Sequence, residues 1–147
     1  MKNVWTKIGI LLLGLFTLSA TVVGQDQDRK AIIEVIEGEH QAFLDRDFER
    51  FMSFVDKTET VLWGDGISLS LKGYTEVSNS FKAFMKKNPE PFEQDFLGDF
   101  NISLAGNKAW VILERRGKSG NLISKEQRIL VKRNGVWKIA VMLAFGA

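Results

Sequence analysis

The apolar residues of this chain change from the spacing of helices to that of strands at about Phe92, and that change restricts the fold more than any other feature. Between Ile32 and Met85, apart from a strand-like segment over 58–71, apolar residues recur every three or four positions, which is the period of an amphipathic helix. From Phe92 onward they recur at about every second position, which is the period of a strand with one buried face. Helices that precede a run of antiparallel strands predict an α+β architecture, with three helices packed against a strongly curved antiparallel sheet.

Turn residues between the periodic segments delimit the predicted elements. Three helices are predicted: one with its apolar face from Ile32 to Leu44, a short one that Asp47 caps, and one over Tyr74–Lys87 that Asn88-Pro89 ends. An early strand pair over 58–63 and 67–71 precedes the third helix. Four strands are then predicted over 92–104, 108–116, 122–133 and 136–143, separated by glycine- and asparagine-containing turns. A bent sheet wrapped around helices leaves a hollow at its wide end, which is a natural ligand site.

The first 24 residues have the pattern of a secretory signal. Lys2 and Lys7 precede an uncharged run from Ile8 to Gly24 with a strongly apolar centre, and small residues follow toward Gly24. We therefore expect cleavage between Gly24 and Gln25, export to the periplasm or the medium, and no membrane association afterwards. The alternative is a retained membrane anchor, for which the apolar centre is short, since a bilayer needs about 20 residues. Residues 25–147 are expected to form a single domain.

Composition excludes several classes of function. There is no cysteine among the 147 residues, so disulfides, thiolate nucleophiles and cysteine metal sites are absent. Without Lys2 and Lys7, acidic and basic residues are equal in number, and such a chain lacks the basic field that nucleic acid requires. The chain has 11 phenylalanines and four tryptophans, which predict a core or cavity lined with rings. We expect no metal and no cofactor.

The order of elements resembles the nuclear transport factor 2-like (NTF2-like) superfamily, in its SnoaL-like branch, over about residues 28–143. The segments that carry the resemblance are Ala42 to Phe51, Val61-Leu62-Trp63, Gly73-Tyr74 and Gly135-Val136-Trp137-Lys138-Ile139. The resemblance implies a cone-shaped, cystatin-like roll around a cavity. It also implies a homodimer through the outer sheet face, where Leu113, Ile129, Val131 and Val141 could supply apolar area. The superfamily includes isomerases, cyclases, dehydratases and members without an assigned activity, so the fold alone does not give the function.

The isomerase pattern of this superfamily can be compared with the chain position by position. The tyrosine of that pattern falls at or near His40, and its carboxylate base falls at or near Trp63. A tryptophan cannot abstract a proton, so the resemblance implies that the isomerase mechanism is absent. The last strand reads Ala140-Val141-Met142-Leu143 and lacks the polar residues that many SnoaL-like members carry there.

His40 and Glu114 are the candidate acid–base residues. His40 is the only histidine and lies on the apolar face of the first helix, where it is either a general base or a hydrogen-bonded core residue. Glu114 shares a strand face with Trp110 and is either a carboxylate in an aromatic cavity or half of a surface ion pair. Arg128 could join them as a partner of Glu114.

The leading hypothesis is a non-catalytic protein that binds a small apolar or aromatic ligand in its cavity. The predicted ligand-binding residues are aromatic or charged: His40, Trp63, Tyr74, Phe81, Trp110, Glu114 and Arg128. The first alternative is an isomerase, cyclase or hydrolase that uses His40 or Glu114 as acid or base. The second alternative is a structural or assembly role as a homodimer.

Overall fold

A computed structural model describes residues 4–65 and 71–146, and describes side chains from residue 24 onward. The helices are α1 (Val4–Leu44), α2 (Phe48–Ser53) and α3 (Tyr74–Lys87). The strands are β1 (Leu62–Gly64), β2 (Leu71–Lys72), β3 (Phe96–Ala105), β4 (Lys108–Arg116), β5 (Leu122–Arg133) and β6 (Val136–Gly146). The α+β prediction is confirmed.

All described strands join one six-stranded sheet with the order β2-β1-β6-β5-β4-β3. The four long strands form the predicted antiparallel meander. The early strand pair does not stand apart from it, because β1 lies beside β6 and runs parallel to it, with Trp63 opposite Met142. The sheet is therefore mixed, and the prediction of a purely antiparallel sheet was wrong at this one pairing.

Three register shifts interrupt the long strands, between Gly98 and Asn101, between Arg115 and Arg116, and between Ile129 and Leu130. An extra residue in one strand of a pair bends that strand and increases its twist. The first shift contains Asp99 with a φ of 53°, in the left-handed region that few non-glycine residues adopt. Strand β3 begins at Phe96 rather than at Phe92, because residues 88–95 connect α3 to the sheet without joining it.

The buried face of the meander follows the predicted alternation of two residues. On β4 it comprises Ala109, Val111 and Leu113, and on β5 it continues through Leu130. Trp110, Ile112 and Ile129 lie on the outer face and are 39–52% exposed. Leu113 is fully buried, so it cannot supply apolar area to an outer interface as predicted, because its side chain belongs to the inner face of β4.

The chain divides into two compact units, Met1–Ala31 and Ile32–Ala147. The first unit contains the N-terminal part of α1, and the second contains the rest of the described helices and the sheet. The predicted signal covers residues 1–24. The side chains of residues 1–23 lie outside the part of the chain that the structure describes. Within the residues whose side chains the structure describes, there is no helix that is long and apolar enough to cross a membrane.

Candidate functional site

A cavity of about 90 Å³ lies in the second unit between the helices and the inner face of the sheet. Every helix and four strands contribute to its wall. The lining residues are Glu39, His40, Phe43, Phe51, Trp63, Phe81, Arg115, Glu126, Arg128 and Met142. One part of this wall is made of aromatic rings and the other of charged groups.

The aromatic part of the wall is a cluster of mutually packed rings. The ring centroids of Phe51 and Phe81 are 4.4 Å apart, and each lies 5.7 Å from Trp63 in an edge-on arrangement. Phe43 packs against both phenylalanines at about 6 Å. Edge-on and tilted contacts of this kind are favourable for aromatic pairs, so the cluster presents a stable apolar surface to the cavity.

The charged part of the wall is built around Arg128, which is 1% exposed. Its Nη1 donates a hydrogen bond to Oε2 of Glu39, and its Nε and Nη2 donate to Oε2 of Glu126 at 3.1 and 2.6 Å. Burial alone would lower the pKa of Arg128, but the two carboxylates outweigh it and raise that pKa above its ordinary value. Arg128 therefore stays charged and holds both carboxylates at the cavity.

His40 belongs to a second ionic group at the edge of the cavity. Its Nε2 lies 2.5 Å from Oδ1 of Asp95, and Arg115 donates to Oδ2 of the same carboxylate from Nε at 2.8 Å and from Nη2 at 2.5 Å. Because a carboxylate accepts, this contact assigns a hydrogen to Nε2, and in a neutral imidazole the lone pair would then be on Nδ1. Among the described residues, no hydrogen bond reaches Nδ1.

The same bridge separates the cavity from two grooves on the surface. His40 lines the cavity and a groove of about 510 Å³, while Arg115 lines the cavity and a groove of about 530 Å³. Asp95 lines both grooves and joins the two residues. His40 and Arg115 therefore lie between the cavity and these two grooves, and Phe43 and Phe81 lie between the cavity and a further groove of about 340 Å³.

Four of the seven predicted ligand-binding residues meet at the cavity: His40, Trp63, Phe81 and Arg128. Tyr74 is half-buried at the start of α3 and is not part of the cavity wall.

Trp110 and Glu114 lie on the outer face of β4, away from the cavity. Glu114 pairs with Arg116 and, at 3.6 Å, with Lys125, so the predicted partnership with Arg128 does not form. The prediction that Trp110 and Glu114 line the cavity was wrong, whereas the alternative of a surface ion pair at Glu114 is confirmed. Both faces of β4 carry apolar residues, so the sequence left open which face is the inner one. Burial would raise the pKa of Glu114, but its two cationic neighbours outweigh this and lower it.

Sequence reasoning missed Glu39, Glu126, Asp95 and Arg115. A signal existed for Glu126, because it precedes Arg128 by two residues and so shares its strand face. None existed for the pairing of Arg128 with Glu39, which lies 89 positions earlier in the chain. Asp95 stands in the segment predicted as the start of β3, where its bridging role has no periodic signature.

Comparison with known proteins gives a likeness in structure alone. No family model matches the chain, and no curated protein matches it. A candidate dehydratase from the NTF2-like family of Streptomyces avermitilis is similar with a TM-score of 0.70 and 20% identity, over 84% of this chain and 98% of that one.

Two further solved structures have the same arrangement. A candidate ketosteroid isomerase from Parabacteroides distasonis matches with a TM-score of 0.60 and 16% identity, over 77% of this chain and 85% of that one. A candidate calcium/calmodulin-dependent protein kinase type II association domain from Thiobacillus denitrificans matches with a TM-score of 0.65 and 10% identity, over 77% and 92%. These three structures share one fold but are described as a dehydratase, a ketosteroid isomerase and an association domain. The structural likeness therefore does not indicate which activity, if any, this chain has.

Proposed function

We propose that this chain, which has the NTF2-like fold, binds a small apolar or aromatic molecule in its interior cavity without catalysing a reaction on it. The observation that carries the proposal is the composition of the cavity wall, where packed rings face a few fixed polar groups. Ligand sites in proteins commonly combine a mostly apolar lining with a small number of polar groups that orient the ligand.

The size of the cavity limits the ligand to about one ring. A cavity of about 150 Å³ is known to hold benzene, and the cavity here measures about 90 Å³. Met142 is half-buried on the wall, and its unbranched side chain can move to enlarge the space. A single-ring molecule therefore fits if Met142 shifts, whereas a fused multi-ring molecule does not.

Binding of a panel of single-ring molecules tests this proposal. Each molecule is titrated into the protein while the indole N–H signal of Trp63 is followed by NMR, and saturable shifts are expected. A Met142→Trp variant fills the cavity with an indole and should abolish them. The matched control is Phe145→Trp, because Phe145 lies on the same strand and is exposed. The proposal is refuted if no molecule of the panel shifts the Trp63 signal, or if Met142→Trp, folded as judged by circular dichroism, binds as the parent does.

A second candidate function is acid–base catalysis by His40. The observation in its favour is the contact with Asp95, which orients the ring and leaves Nδ1 as the basic nitrogen. One observation argues against this function: Asp95 also pairs with Arg115, so its carboxylate stabilises a protonated His40 ring less. If an activity is found, His40→Ala should reduce kcat strongly. Glu114→Gln serves as the control because Glu114 lies on the outer face, and equal turnover in both variants would end this alternative.

Homodimer formation is a third proposal, compatible with either of the others. It is supported by the exposed apolar side chains of Trp110, Ile112 and Ile129, which share the outer face of β4 and β5, with Trp110 directly opposite Ile129. An apolar patch of this kind on a protein surface commonly marks an interface. A molecular mass corresponding to one chain at high concentration in light scattering would contradict it.

We also propose that residues 1–24 are removed during export and that the mature chain begins at Gln25. The support is the order of basic, apolar and small residues in the sequence. Intact mass of the protein recovered from its native host tests this directly, since a mature N-terminus at Met1 would contradict it.

A further inference from the structure

The buried ionic group around Arg128 contains more carboxylates than cations. Arg115 is neutralised by Asp95, whereas Arg128 alone faces the two carboxylates of Glu39 and Glu126. The group formed by Arg128, Glu39 and Glu126 therefore carries one more carboxylate than it has cations. A net charge on buried side chains is unfavourable, and it favours an occupant of the opposite charge.

Both carboxylates also have an acceptor to spare. Glu39 and Glu126 each bind Arg128 through Oε2, and among the described residues no hydrogen bond reaches Oε1 of either. Their side chains are only 4% and 2% exposed, and both line the cavity. A carboxylate oxygen accepts hydrogen bonds, so a molecule that carries N–H donors into the cavity could bind to these two oxygens.

The aromatic part of the wall favours the same charge. Phe51, Trp63 and Phe81 offer electron-rich rings, and a cation near the face of such rings is attracted by them. A carboxylate-bearing ligand would be repelled by the excess negative charge and would leave the Oε1 atoms without donors. A cationic ligand satisfies the carboxylates on one side while its apolar part contacts the rings on the other.

We infer that the ligand of this cavity is a small amine in its ammonium form, held through its N–H groups by Glu39 and Glu126. This inference rests on the proposed ligand-binding function and specifies the chemical class of the ligand. The cavity thus discriminates among molecules of equal size by the charge of one substituent.

The test compares benzylamine, benzyl alcohol and benzoate, which share one ring and differ in charge. Dissociation constants are measured at neutral pH by NMR titration of the Trp63 indole signal. Benzylamine is expected to bind roughly tenfold more tightly than benzyl alcohol, since hydrogen bonds between charged partners are the stronger ones. Benzoate is expected to bind more weakly than either.

The outcomes separate the inference from the proposed function. If benzyl alcohol or benzoate binds as tightly as benzylamine, the ammonium inference is wrong while ligand binding stands. If none of the three binds, nor any other molecule of the single-ring panel, the proposed function itself fails.

Two variants test whether the preference for an ammonium ligand depends on the carboxylates around Arg128. In Glu39→Gln the side chain can still accept the hydrogen bond of Arg128, but the excess charge is gone. The ratio of the two dissociation constants, benzyl alcohol over benzylamine, should therefore fall to near one. Because both ligands are measured on the same variant, a general loss of affinity or stability cancels in this ratio. In Glu114→Gln, on the outer face, the ratio should stay as in the parent, and an equal fall in both variants would overturn the inference.

Discussion

Replacing Arg128 with methionine tests whether the buried charges of the cavity are held by this one side chain. The substitution keeps an unbranched apolar stem and removes the guanidinium. It therefore removes the three hydrogen bonds that Arg128 donates to Glu39 and Glu126. The two carboxylates, at most 4% exposed, would then face each other without a cation between them.

The expected loss follows from the burial of the group. Breaking a buried ion pair by removal of one partner costs about 3–5 kcal/mol of folding stability. Domains of this size have a free energy of unfolding of about 5–15 kcal/mol, so the loss is a large fraction of the total. The midpoint of thermal unfolding should fall by roughly 10–20 °C.

Chemical denaturation followed by tryptophan fluorescence measures this loss. The matched control is Arg116→Met. Arg116 follows Glu114 by two residues on β4, as Arg128 follows Glu126 by two residues on β5. Unlike Arg128, however, the Arg116 side chain is 43% exposed. Solvent can replace that pair, so the control should change the unfolding midpoint little.

A triple variant separates the loss of charge pairing from the loss of packing. Replacing Glu39, Glu126 and Arg128 together by methionine removes all three charges and keeps similar volume. It should recover much of the stability lost in the single variant, because an apolar substitute for a buried ionic triad is often neutral. The reasoning is refuted if Arg128→Met stays within about 1 kcal/mol of the parent, or if the triple variant is no more stable than the single one.

Three further predictions concern other parts of the second unit. Gly38→Ala should lower the free energy of unfolding, measured in urea, by about 1 kcal/mol despite the better helix propensity of alanine. The reason is that the added Cβ would lie 2.6 Å from Cζ of Phe54. A variant more stable than the parent would contradict this prediction. The carboxyl of Glu114 should titrate below its ordinary pKa of 4.5 when it is followed by NMR. Its contribution to stability is therefore present above pH 4.5 and is lost as the pH falls through the lowered pKa. A titration midpoint of Glu114 at or above 4.5 would contradict this prediction. Trp110→Ser should weaken self-association in sedimentation while leaving the unfolding midpoint unchanged, whereas undiminished association would place the interface away from Trp110 and Ile129.

The elements of the sheet could be read from the sequence with unequal success. Strands β4 and β5 have the predicted bounds, because alternation of apolar residues fills both strands and glycines with positive φ, Gly106 and Gly135, mark the turns. The placement of β1 beside β6 could not be predicted, since a strand of three residues carries no periodic signal and its partner lies about 80 positions away.

The site was harder to predict than the fold. His40 and Phe81 were found because an apolar helical face must look toward the core. Trp110 and Glu114 were misplaced because β4 offers apolar residues on both faces, so alternation alone cannot say which face is inner. The ionic cluster escaped prediction because charged residues are mostly exposed, whereas tertiary packing buries Glu39 and Glu126 around one arginine.

The most direct test of a ring-lined cavity that accepts an ammonium is a residue-resolved NMR titration with benzylamine. The account predicts saturable shifts at the indole N–H of Trp63 and the methyl group of Met142, with none at the indole of Trp110 on the outer face. Shifts concentrated at Trp110, or a Trp63 signal that does not respond at saturating concentration, would contradict it.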